Sequence, residues 1–203
     1  MSVGTTDIEL FSEAPAPTPR RPRVLLVGTL FAGSAAAAAI AAMVALYTQI
    51  RAEHLTTNET WLPDEAVLEL TPGNMAFVTL LMSVVTAAAA VDALHKNDRP
   101  HGYLALGTTL LLGVAFITGT AFLWQQLNLG IRETRQAVLI YTISGAHVAM
   151  AAGGLLYLLV MGFRALGGQL TGKAAEGFNA AAVFWYMTVA VYGLVWYAIY
   201  ITK

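Results

Sequence analysis

Five stretches of this chain are predominantly apolar for about twenty residues or more, and that pattern decides which solvent the protein folds in. They run approximately over Val24–Ile50, Asn74–Leu94, Tyr103–Trp124, Val138–Phe163 and Phe178–Thr202, each free of Lys and Arg inside. A helix of about 20 residues crosses a hydrocarbon core of roughly 30 Å. The runs are continuously apolar and do not alternate, which argues against barrel strands. The reading is an all-α fold, an integral membrane bundle of five transmembrane helices over residues 24–203.

Composition agrees. Of 203 residues 57% are hydrophobic and 11% charged, where a soluble domain is about 25% charged. The net charge of −1 gives no electrostatic case for binding nucleic acid. With no cysteine, disulfides, thiolate metal sites, iron–sulfur clusters and cysteine nucleophiles are excluded together. Residues 1–23 place Asp7, Glu9 and Glu13 first, then a Pro-rich stretch, then Arg20, Arg21 and Arg23. That order is the reverse of a signal peptide, so this segment is expected to be a polar, disordered cytoplasmic tail and the first apolar run a retained helix.

Basic residues in the connections set the orientation. One side carries Arg20, Arg21, Arg23, Lys96, Arg99, Arg164 and Lys173, the other Arg51, Arg132, Arg135 and Lys203. Seven against four predicts the N-terminus inside and the C-terminus outside. The acidic connection with Glu53, Glu59, Asp64, Glu65 and Glu69 then faces outward. An odd number of spans without an internal repeat argues against an inverted-repeat transporter.

Helices in lipid associate by close contact, which small side chains permit. The first span carries Gly33, Ser34 and the run Ala35–Ala39, and the second carries Ala87–Ala90. In the fourth, Gly145, Ala149 and Gly153 recur at four-residue steps as a smooth stripe. Such faces serve either a tight internal bundle or docking against further helices.

Ionisable groups at membrane depth are functional candidates by default, and few are present. Asp92 stands four residues before Lys96, as an interfacial salt bridge or cap would. His147 is the one histidine well inside a span. His95, His101 and His54 all lie near span ends, so none is placed to share a haem with it. A hydrogen bond to a neighbouring helix or a lipid head group is the reading for His147. Tyr192, Trp196, Tyr197 and Tyr200, with Trp61 and Trp124, read as an aromatic belt at the outer interface. No phosphate loop, paired carboxylate or nucleophile motif is found.

Read from residue 24 to 203, the chain resembles subunit III of the haem–copper (cytochrome c) oxidases, in the five-helix form seen in actinobacteria. The resemblance runs through Val27-Gly28-Thr29, Ser34, Tyr47 and Arg51-Ala52, the loop with Trp61 and Pro63, and Ser83, Thr86 and the Asp98 turn. Gly113 and Gly119 follow. Its most specific stretch is Ser144-Gly145-Ala146-His147 with Gly153-Gly154-Leu155, and it closes on Phe184-Trp185-Tyr186 and Ile199-Tyr200.

The departures are systematic. The family's embedded Glu falls at Ala36, its Gln and Glu at Thr120 and Leu123, its second His at Met150. Its Trp-His-Phe-Val-Asp run reads Trp185, Tyr186, Met187, Thr188, Val189. In that family the subunit holds no redox centre, supports proton uptake and turnover stability, and binds lipid in a cleft between helix groups. The resemblance therefore implies a non-catalytic subunit with no cofactor of its own, and haem and copper in partner subunits. Its partners would be oxidase core subunits, subunit I-like first, and membrane phospholipid, in the plasma (inner) membrane of a bacterium. Residues expected at lipid or helix packing are Ser34, Gly145, His147, Ala149, Gly153, Gly154 and Trp185. Two further readings stay open: an accessory or assembly protein of another membrane complex on the same scaffold, and a small independent transporter.

Overall fold

The apolar runs become helices because in a membrane every backbone polar group has to be paired within its own segment. The computed structural model describes residues 23–170 and 176–202. Among them stand α1 (Val24–His54), α2 (Leu70–His95), α3 (Arg99–Gln126), α4 (Arg135–Leu166) and α5 (Glu176–Trp196), which ends in a π-helical turn, Tyr197–Ile201. All five are long and apolar enough to cross a membrane. The residue 1–22 part of the tail, and Lys173 and Lys203 of the charge count, lie outside the described residues.

The helices run past the sequence-based boundaries, since a helix has no reason to stop where the hydrocarbon does. At about 1.5 Å per residue α1 is about 46 Å long, so Arg51 sits in its last turn. Arg99, Arg135 and Arg164 likewise fall inside helices and not in connections. Caps set several of these ends. Asp98 accepts a hydrogen bond from the His101 amide, with Pro100 in the first turn of α3, and Thr134 Oγ1 accepts one from the Ala137 amide at the start of α4. Asn97, at φ 60°, closes α2, and the Asp98 amide reaches back to the Ala93 carbonyl at 2.9 Å.

α5 is the central element and touches α1, α2 and α4, while α2 pairs most extensively with α3. Half of α5's apolar stretch is buried (50%), against 17% for α1, which leans on α5 and α4 and turns most of its surface outward. The small residues of α2 serve the internal pairing: Ala87 and Ala90 are buried, and beside them Thr86 Oγ1 and Thr109 Oγ1 share a hydrogen bond of 2.8 Å. Those of α1 largely do not, since Ala35, Ala38, Ala39, Ala41 and Ala42 are exposed. Gly33 is the exception; a Cβ there would lie 2.7 Å from Met187 Sδ of α5.

The aromatic belt is corrected. Tyr192 and Tyr200 are buried, Trp61 is buried beneath its loop, and of the last-span aromatics Tyr197 is the clearly exposed one. The reason is the central place of α5, whose aromatic side chains meet other helices where those of a peripheral helix would meet the interface. Trp61 Nε1–H donates to Tyr47 Oη at 2.9 Å, and Trp196 Nε1–H to Asn74 Oδ1 at 2.9 Å.

Candidate functional site

The polar groups of the bundle interior form the first candidate. His147 of α4 is 1% exposed, and its Nε2–H donates to the Thr188 carbonyl of α5 at 2.9 Å. A carbonyl oxygen only accepts, so that nitrogen carries the hydrogen. The ring sits edge-on to Phe116, with centroids 5.5 Å apart, and is tilted against Tyr192 at 5.1 Å. The sequence reading of a hydrogen bond to a neighbouring helix therefore holds. Phe116 carried no advance signal, since a Phe in an apolar run looks like any other core residue.

One layer away, Trp185 is fully buried, and its Nε1–H donates to Ser83 Oγ of α2 at 3.0 Å. Gly154 of α4 lies against that indole: a Cβ there would be 3.0 Å from Trp185 and 3.3 Å from Phe184. Gly154 and Trp185 thus form one close-packed α4–α5 contact. Thr29 and Tyr157 join α1 to α4 at 3.1 Å, and Trp124 Nε1–H donates to Ser144 Oγ at 2.9 Å. Each pair satisfies a polar group that lipid would leave stranded.

The predicted stripe on α4 is the second candidate, and it points elsewhere. Ala149 and Gly153 are exposed and Gly145 half-buried. A Cβ added at Gly145 or Gly153 would meet nothing within 4 Å. Ser34 on α1 is likewise exposed, next to the buried Gly33. Of the seven expected packing residues, His147, Gly154 and Trp185 lie together inside the bundle, while Ser34, Gly145, Ala149 and Gly153 lie on outward or half-open surfaces.

The positions matched to missing ionisable groups are quiet. Val189 and Met150 are buried apolar side chains, Ala36 and Leu123 are half-buried, and the hydroxyl of Thr120 bonds the Phe116 carbonyl at 3.0 Å. Asp92 and Lys96 form the expected exposed ion pair, 2.7 Å apart. Among the described residues no three His, Asp or Glu side chains converge as a metal site would need.

A family model described as cytochrome c oxidase subunit III matches residues 26–203. The chain belongs to the cytochrome c oxidase subunit III family. Curated relatives of this subunit III family member include a probable cytochrome c oxidase subunit 3 of Rickettsia conorii, 28% identical over 144 residues, covering 68% of this chain and 51% of the relative. The wheat (Triticum aestivum) cytochrome c oxidase subunit 3 is 26% identical over 141 residues, covering 68% of this chain and 53% of the relative. The Bos taurus protein of that name is 30% identical over 121 residues, covering 60% and 46%. The chain spans about half the length of the curated relatives it matches. The subunit III likeness read from Ser144–Leu155 and Phe184–Tyr186 is thereby borne out at the level of the family, as is the five-helix membrane fold.

Proposed function

We propose that the chain is a non-catalytic, structural subunit of a respiratory cytochrome c oxidase or its supercomplex. Membership of the subunit III family over residues 26–203 is the observation that carries the reading. The interior supports it: buried polar groups such as His147, Ser83 and Trp185 are engaged in joining helices to one another. Haem and copper belong to the partner subunits, and the subunit I-like core is the first partner.

The stripe Gly145, Ala149, Gly153 supplies the docking face. Its side chains admit close backbone approach, and the chain's own helices leave it open. A core subunit helix or a tightly held phospholipid takes that place. The setting is the plasma (inner) membrane of a bacterium, with the N-terminus cytoplasmic and the C-terminus outside, in line with the seven-to-four basic count.

The test is purification of the tagged chain from native membranes in mild detergent. Co-elution of haem a and copper with oxidase core polypeptides is expected. Elution of the chain alone, or with an unrelated complex, would overturn the assignment.

A further inference from the structure

Between α3, α4 and α5 lies a cavity of about 20 Å3 whose polar lining is Thr120, Trp124, Ser144, His147, Tyr192 and Tyr200. About 10–15 Å3 of such volume accommodates one water, provided two to four polar partners surround it. An organic ligand does not fit.

The lining has a mismatch of donors and acceptors that direct contacts leave unresolved. Tyr192 and Tyr200 are 4% and 9% exposed, and neither hydroxyl bonds a protein group among the described residues. Both are spare donors. Spare acceptors face them. His147 spends its Nε2–H on Thr188, so the neutral ring keeps a lone pair at Nδ1. Thr120 Oγ1 donates to the Phe116 carbonyl at 3.0 Å and retains its lone pairs. Ser144 Oγ donates to the Ile140 carbonyl at 2.6 Å, accepts from Trp124 Nε1–H, and has one lone pair left.

One water resolves this arithmetic, because it can accept from both phenols and donate its two hydrogens to two of the acceptors, each of which already has another bond. Leaving buried tyrosine hydroxyls unpaired is the alternative, and folded proteins rarely tolerate it. We propose that this cavity is a binding site for one structural water, which accepts from the hydroxyls of Tyr192 and Tyr200 and donates to His147 Nδ1 and to one of Thr120 Oγ1 and Ser144 Oγ. The water adds a shared polar link among α3, α4 and α5 beside the direct Trp124–Ser144 and His147–Thr188 bonds. It is independent of which complex the chain joins.

Magic-angle-spinning NMR on the full-length chain in phospholipid vesicles tests it, with the protein perdeuterated, 15N-labelled at histidine and back-exchanged in H2O. The His147 Nδ1 should be unprotonated and correlate over a short distance with a proton at the chemical shift of water. Thr120→Leu, which fills the cavity, should abolish that correlation while the Nε2–H signal remains. Tyr192→Phe, which removes one donor without adding volume, should weaken it and serves as the second variant if Thr120→Leu does not fold. A wild-type Nδ1 that sees no water proton, or that sees a phenolic proton directly, would overturn the proposal. Persistence of the correlation unchanged in both variants would overturn it as well.

Discussion

The indole of Trp185 reaches from α5 to Ser83 of α2 at 3.0 Å, joining residues 102 positions apart in the sequence. Ser83 Oγ donates its hydrogen to the Leu80 carbonyl at 2.6 Å, so it meets the indole only as an acceptor. Trp185→Phe should therefore cost the interhelical bond, roughly 0.6–1.7 kcal/mol, together with part of the ring's packing. Trp185→Ala should cost about 3–5 kcal/mol. Unfolding of the purified chain in mixed micelles measures both, and a Trp185→Phe variant as stable as wild type would deny the bond its role.

Two small residues on α4, Gly154 and Ala149, should behave in opposite ways. Gly154 is pressed on Trp185 and Phe184, so Gly154→Leu overpacks the core at a cost of about 1–3 kcal/mol, seen in the isolated chain. Ala149 faces outward. Ala149→Leu should leave the isolated chain's unfolding within about 0.5 kcal/mol of wild type, yet lower its retention in complex purified through a tag on another subunit. Equal effects of both changes on the isolated chain would place the stripe inside the fold.

The turn between α2 and α3 gives a pH dependence of known sign. The His101 ring, with Nδ1 2.8 Å from Asp98 Oδ2, holds the Asp98 carboxyl below the ordinary carboxylate range, and the His101 amide adds to this. A depressed folded value means the cap's contribution is complete above the unfolded value of about 3.9 and is lost as pH falls through the folded one. Amides in the first turn of α3 should exchange faster in Asp98→Ala than in wild type at pH 6, and the gap should close in strong acid. A difference that persists there would assign the effect to something other than the carboxylate.

Orientation has a direct assay. A cysteine at Asn58, in the exposed connection after α1, should react with an impermeant thiol reagent on intact cells, and one at His95 should not. His95 is exposed and helical, which makes it a better position than the neighbouring Asn97 with its φ of 60°. The reverse labelling pattern would invert the topology.

The sequence disclosed the five helices because apolar length is a local property, and it disclosed His147 because an imidazole at membrane depth stands out. Which neighbour satisfies His147 was not readable: the Thr188 carbonyl is a backbone group, invisible to residue identity. Tyr192 and Tyr200 were misplaced for a related reason. An aromatic near a helix end suits an interface equally well as a core, and only the central position of α5 decides between them. Gly153 and Gly154 differ in the same way. Side by side in sequence, one faces open space and the other an indole, and the helix's rotation relative to α5 is a tertiary fact.

The central claim is that this subunit III family member contributes attachment and shape to its complex and takes no part in the chemistry. His147 is the buried imidazole at membrane depth, and the most direct measurement is turnover per haem of the oxidase complex carrying His147→Ala, with the chain's content quantified in the same preparation. The account predicts a rate within about twofold of wild type, an activation difference of about 0.4 kcal/mol or less. A several-fold slower rate at normal subunit content would contradict it and place His147 in proton or electron transfer.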